Sequence, residues 1–132
     1  MSLSGIHAGN APKAVGNYPH ARRLGNLLFL SGIGPRAPGT DAIPDGIQAQ
    51  SAAVLANVRA VLEASGARWE DLADVTVFLT DMSRDFKGWN AVWAEHFPDP
   101  ASAPCRTTVG ISALPTPIAV ELKCVALMEG TS

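Results

Sequence analysis

The sequence predicts an α+β fold in the order β-β-α-β-α-β-β, with two helices on one face of a mixed sheet. Two segments repeat apolar residues at the helical period and are bounded by glycine or proline. Five shorter runs are apolar or β-branched and suit strands. Within 132 residues there is no internal repeat, low-complexity tract or linker, so residues 1–132 read as a single domain. A domain of this size buries roughly two thirds of its unfolded surface and needs no disulfide scaffold.

The first strand pair is His20–Leu24 and Asn26–Ser31. Its turn, Leu24-Gly25-Asn26, places two residues that tolerate positive φ together. Pro35 to Gly46 holds three prolines and two glycines and reads as an irregular loop. The clearest helix follows. Ile47, Val54, Leu55, Val58, Val61 and Leu62 share one face, and Gln48, Arg59 and Glu63 share the other. Asp45 is the expected N-cap and Gly66 the C′ residue.

After a short acidic turn (Trp69, Glu70, Asp71), Asp74–Met82 is a buried strand. The second helix covers Asp85–Phe97, capped by Ser83 or Asp85, and Phe86, Trp89, Trp93 and Phe97 form a stripe assigned to the core. Prolines at 98, 100 and 104 end it. The last two strands run from Cys105 to Ser112 and from Ile118 to Leu127. The sheet face opposite the helices is apolar enough to need cover from another subunit.

Hydrophobic residues make up 47% of the chain and charged ones 17%, with a net charge of −2. That balance disfavours general attraction to nucleic acid, so any anion recognition is local. No apolar run approaches the ~20 residues of a membrane span. The N-terminus lacks the pattern of a secretory signal, which gives a cytoplasmic expectation. Cys105 and Cys124 are expected as free thiols, although a hairpin register exists that would set them opposite each other. His7, His20 and His96 are scattered without metal-ligand spacing, so no metal is expected. His7 is assigned to a frayed terminus and His96 to a helix C-terminal cap. Phosphate loops and the G-x-S-x-G elbow are absent.

Chemistry concentrates in the last two strands. Taken as a central pair, they project Arg106, Glu121 and Lys123 away from the core, with Val120, Leu122 and Cys124 facing it. Periodicity by itself favours a cross-strand ion pair.

The blocks GNYPHA, NLLFLSG, LANVRAVLEASGA, DVTVFLTDM, PCRTTVG and AVELKCVA together resemble the Rid family, the reactive intermediate deaminases also called YjgF or L-PSP proteins. The likeness runs from about Ala11 to Leu127, in the family's order and spacing. GNYPHARR and SGIGPR look most like the 2-aminomuconate deaminase branch. The resemblance implies a chorismate-mutase-like fold, a homotrimer with clefts at its subunit interfaces, and cofactor-free hydrolysis of enamines and imines to 2-oxo acids and ammonia. It implies that Arg106 clamps a substrate carboxylate and that Glu121 positions the attacking water. Tyr18, Ser31, Gly32, Asn90 and Thr108 would line the cleft.

Departures from the family pattern are informative. Ile33 stands where many members have a glutamine, Thr108 where many have a cysteine, and Lys123 where a second glutamate is usual. One extra residue falls at Ser83-Arg84. 2-Aminomuconate carries two carboxylates, and His20, Arg36 and Lys123 are the candidates for the second. Arg22 and Arg23 are assigned to solvated strand ends, whereas for His20 and Arg36 the two readings stand level. The alternatives are a general deaminase of 2-aminoacrylate-like intermediates, a non-catalytic trimeric binder of small carboxylates, and an RNA-acting translation inhibitor. The acidic balance counts against the last.

Overall fold

The computed structural model describes residues 4–129; the remaining ends of the 1–132 domain, with the first residues of the expected non-signal N-terminus, lie outside the described residues. The elements are β1 (Ala21–Leu24), β2 (Leu27–Leu30), α1 (Ile47–Ala64), β3 (Leu72–Leu79), α2 (Met82–His96), β4 (Cys105–Gly110) and β5 (Val120–Leu127), with a 3-10 turn at Trp69–Asp71. This is the predicted order. One five-stranded sheet runs β1-β2-β5-β3-β4.

The β1–β2 hairpin turns at Gly25, whose φ of 61° is open to glycine. β5 lies between β2 and β3 and is antiparallel to both. β4 departs from expectation. It pairs parallel with β3, Val75 opposite Arg106 and Val77 opposite Thr108, and forms the sheet edge. The β3–α2–β4 segment is therefore a crossover unit rather than a lead-in to a terminal hairpin. Cys105 lies opposite Asp74 and Cys124 opposite Val75, so the two cysteines never meet and both are free.

Both helices share one core with one face of the sheet. Val54, Val58, Val61 and Leu62 of α1 and Trp89 of α2 pack with Leu28, Leu30, Val75, Val77, Leu79, Val120 and Leu122. Each such aliphatic side chain contributes about 1.5–3 kcal/mol through burial. The other sheet face carries Phe29, Phe78, Val109 and Val125, all half-buried, and the exposed Leu24, Leu27 and Leu127.

α1 ends as its sequence predicts. Gly66 adopts φ 79°, the Ala67 N–H donates to the Leu62 carbonyl and the Gly66 N–H to that of Glu63. Its start differs. Gly46, at φ 87°, is the N-cap and no side chain caps it, because this left-handed residue leaves Asp45 outside the first turn. α2 starts earlier than expected. Asp81 is the cap, accepting the Arg84 N–H at 3.2 Å, and Ser83 and Asp85 lie inside the helix. Asp85 is buried and takes two bonds from Arg84, at 2.8 and 2.7 Å. Ile6 bridges Ala21 on the outer edge of β1, so His7 is not in a frayed end.

Candidate functional site

Arg106 and Glu121 face opposite sides of the sheet. Arg106 shares its face with Val75, Val77 and Leu122, the side covered by the helices; Glu121 pairs with Phe78 on the helix-free side. The expected cross-strand ion pair does not form, because β3 separates β4 from β5. Only Glu121 and Lys123 project away from the core as anticipated.

The Glu121 half begins where the chain leaves β2. Ser31 and Gly32 follow β2, and Ile33 then pairs with Leu122 through two backbone bonds of 2.9 Å. This bridge lays Gly32 against the Glu121 side chain, and a Cβ at Gly32 would overlap the carboxylate. Tyr18, His20, Ser31, Gly32, Arg36 and Glu121 line one cavity, of only about 50 Å³. Burial raises the Glu121 pKa above the ordinary 4.5. Among the described residues its carboxylate has neither a hydrogen bond nor a cation as partner.

The other candidates around this cavity are partly committed. The Ser31 hydroxyl donates to the Pro19 carbonyl at 2.7 Å. The His20 ring accepts the Ala8 N–H at Nδ1, 2.9 Å, so Nε2 carries the proton and donates to the Pro12 carbonyl at 2.6 Å. Both nitrogens are used in tying the N-terminal arm to β1, which leaves none for an anion. Arg36 pairs with Asp41 at 2.7 Å and donates to the Lys13 carbonyl at 2.5 Å. Lys123 donates to the Leu30 carbonyl. Arg22 is exposed, and Arg23 closes the hairpin by donating to Gly25 at 2.8 Å.

The Arg106 half belongs to β4 and α2. Asn90, Trp93, Pro104 and Arg106 line a hollow of about 440 Å³. The guanidinium lies 5.0 Å from the Trp93 ring centre and 6.0 Å from that of Phe86. Burial lowers its pKa below the usual arginine value, and it remains a cation at neutral pH. The aromatic stripe thus does two things. Trp89 is wholly buried in the core, whereas Phe86 is 38% exposed and stands beside Arg106. Thr108 lies two residues along the same face, its hydroxyl buried without a partner. His96 ends α2 and donates from Nδ1 to the Val92 carbonyl at 2.9 Å, the expected cap.

Sequence reasoning missed several contributors. Lys13, Val15, Pro115 and Ile118 also line the Glu121 cavity. Asn57, buried on α1, donates to the carbonyls of Gly34 and Arg36, each at 2.9 Å, and so holds the loop after Ile33. A polar residue on the apolar face of α1 was the available signal. Gln50 accepts the Ala119 N–H at 2.8 Å and fixes the entry to β5.

Fold and site thus define a small α+β protein with a half-buried carboxylate on one face and, among the described residues, an uncompensated arginine on the other. Comparison with known proteins agrees. The profile of the family described as Endoribonuclease L-PSP matches residues 8–128. A RutC family protein of Pyrococcus horikoshii is 42% identical over 94% of this chain and 97% of its own. The chloroplastic Reactive Intermediate Deaminase A of Arabidopsis thaliana is 36% identical over 89% of this chain and 62% of its own. The crystal structure of E. coli TdcF with bound serine superposes with a TM-score of 0.88, at 33% identity over 96% of this chain and 99% of that one. The chain belongs to the Rid (L-PSP) family.

Proposed function

We propose that this protein is a cofactor-independent hydrolytic deaminase of carboxylate-bearing enamines and imines, working in the cytoplasm as a homotrimer. The observation that carries it is the split between Glu121 and Arg106. Neither half has all the parts: the Glu121 cavity of about 50 Å³ holds little more than water, against ~300 Å³ or more for ordinary ligand pockets, and the hollow of about 440 Å³ beside Arg106 has no carboxylate in its lining. Bringing the Arg106 face of one copy against the Glu121 face of the next completes it. The half-buried apolar face around Phe29, Phe78 and Val125 is surface that such an assembly would cover.

In that composite cleft Arg106 clamps the substrate carboxylate through its planar fork. The 2-enamine gains a proton at C3 and loses one from nitrogen, which makes it the imine. Water held by Glu121 adds at C2, its proton passing to the carboxylate, and the C–O bond forms as the C=N bond opens. Glu121 returns that proton to nitrogen, then relays the new hydroxyl's proton to nitrogen as the C–N bond breaks, so ammonia leaves and the 2-oxo acid remains. Positioning and electrostatics suffice for such a reaction. The raised Glu121 pKa suits a group that both takes and returns a proton. A reactive intermediate deaminase among the relatives, and a small amino acid bound to a structural neighbour, support this chemistry.

The named substrate is 2-aminomuconate. Its second carboxylate falls to Arg36, with Lys13 beside it in the Glu121 cavity. Arg36 keeps N–H donors beyond its bonds to Asp41 and the Lys13 carbonyl, whereas His20 has both ring nitrogens bonded to backbone and Lys123 does not line that cavity. The test is ammonia release from freshly generated 2-aminomuconate and 2-aminoacrylate by wild type, Arg106→Ala and Arg36→Ala. Arg106→Ala abolishes both activities; Arg36→Ala reduces only the first. Equal wild-type turnover of both substrates would make the protein a generalist, and no ammonia from either would leave a carboxylate-binding trimer.

A further inference from the structure

Aromatic rings, rather than a carboxylate, surround Arg106. Among the described residues its guanidinium has no hydrogen bond and no ion pair; its only close partners are the faces of Trp93 and Phe86. From Trp93 the ring contacts continue away from Arg106. Trp93 meets Phe97 at 4.4 Å between centroids, and Phe97 stacks on Trp69 at 5.1 Å with planes 10° apart. Arg59 of α1 closes the row, 4.2 Å from the Trp69 centroid. The wholly buried Trp89 braces Trp93 at 5.8 Å. A row of three rings therefore ends in a guanidinium on each side, one on α1 and one in the candidate site.

The geometry points to Trp93 as the residue that positions Arg106 for its anion, an inference that rests on reading Arg106 as the carboxylate anchor. A carboxylate partner would fill the N–H fork and cancel its charge, so a ligand would have to displace it. An aromatic face attracts the cation through its quadrupole but takes up no strong hydrogen bond. The N–H donors and the positive charge stay available to the ligand. Trp93 is fixed in turn by Trp89 and Phe97, so the guanidinium rests on a packed wall rather than on a mobile side chain. Trp93 is a positioning residue: it acts through Arg106 and touches none of the reacting atoms in this scheme.

The test uses the full chain. Pyruvate, a 2-oxo acid product that does not turn over, is titrated by calorimetry into wild type, Trp93→Phe, Trp93→Leu and Arg106→Ala, and KM, kcat and Tm are measured with 2-aminoacrylate. Trp93→Leu weakens pyruvate binding and raises KM by roughly 5- to 30-fold while kcat stays within about twofold, and Trp93→Phe recovers most of the loss. Biosynthetic replacement of tryptophan by trifluorotryptophan keeps ring shape but depletes the π face. It raises KM in the wild-type chain and leaves Trp93→Phe unchanged, a readout that survives if Trp93→Leu fails to fold. Wild-type pyruvate affinity in a folded Trp93→Leu chain, or fluorination without effect on KM, overturns the role of Trp93. Equal pyruvate binding by wild type and Arg106→Ala overturns the anchor reading itself, and with it this inference.

Discussion

Arg106 and Glu121 project from opposite faces of one sheet, with β3 between their strands. No side-chain motion joins them within a single chain. If the active site unites them, the arginine comes from one copy and the glutamate from another. Arg106→Ala and Glu121→Gln are each inactive alone under this scheme, yet co-refolding them in equal amounts restores activity. Random assembly pairs an intact Glu121 half with an intact Arg106 half in about one site in four. Ammonia release at about a quarter of the wild-type rate is the expected outcome, and no recovery on mixing would refute the composite site.

Burial of Glu121 has a consequence for stability. Its folded-state pKa is raised above the ordinary 4.5, so the folded chain holds the proton more tightly than the unfolded chain does. The favourable contribution is full below 4.5 and is lost as pH climbs through the folded-state value. Glu121→Gln, which never ionises, removes that loss. Thermal unfolding across pH 4 to 8 should show the variant gaining on wild type as pH rises. The acid limb of kcat/KM in wild type should likewise fall above the ordinary glutamate value.

Gly32 leaves room for the Glu121 carboxylate. A Cβ at this position would overlap Glu121, so Gly32→Ala must push the side chain aside. Displacements near 1 Å cost about 100-fold in rate when a reacting group depends on position. The expected result is a kcat roughly 100-fold lower with a nearly unchanged Tm, since Gly32 itself is exposed.

Helices and strands were legible because each announces itself locally, by period and by punctuation. Gly66 and Gly25 could be assigned from sequence because only certain residues tolerate their φ values. The neighbour of β4 was not legible. Strand pairing is non-local, and CRTTVG alternates identically whether it meets β3 or β5. From that single difference Arg106 moved to the helix side, and the expected ion pair and the Cys105–Cys124 register disappeared. For His20 in YPHARR the two readings stood level because nothing local tells that Ala8 and Pro12 return to claim its ring. Alternation along the last strand singled out Glu121 as a charge facing away from the core, whereas Gly32 and Asn90 stood out through family resemblance alone.

Asn57 offers a test of the scaffold apart from the chemistry. Its side chain links α1 to the carbonyls of both Gly34 and Arg36, on the loop leading out of the Glu121 cavity. Asn57→Ala removes two hydrogen bonds and strands two carbonyls, at a cost of about 1–3 kcal/mol. For a chain of this length that lowers Tm by roughly 3–12 °C. Arg36 also loses one of the bonds that hold its backbone in place, while Arg106 and Glu121 are untouched. Turnover of the dicarboxylate substrate should therefore suffer more than turnover of 2-aminoacrylate, measured well below the new Tm. An equal loss on both would mean that Asn57 supports the fold without setting the pocket's outer wall.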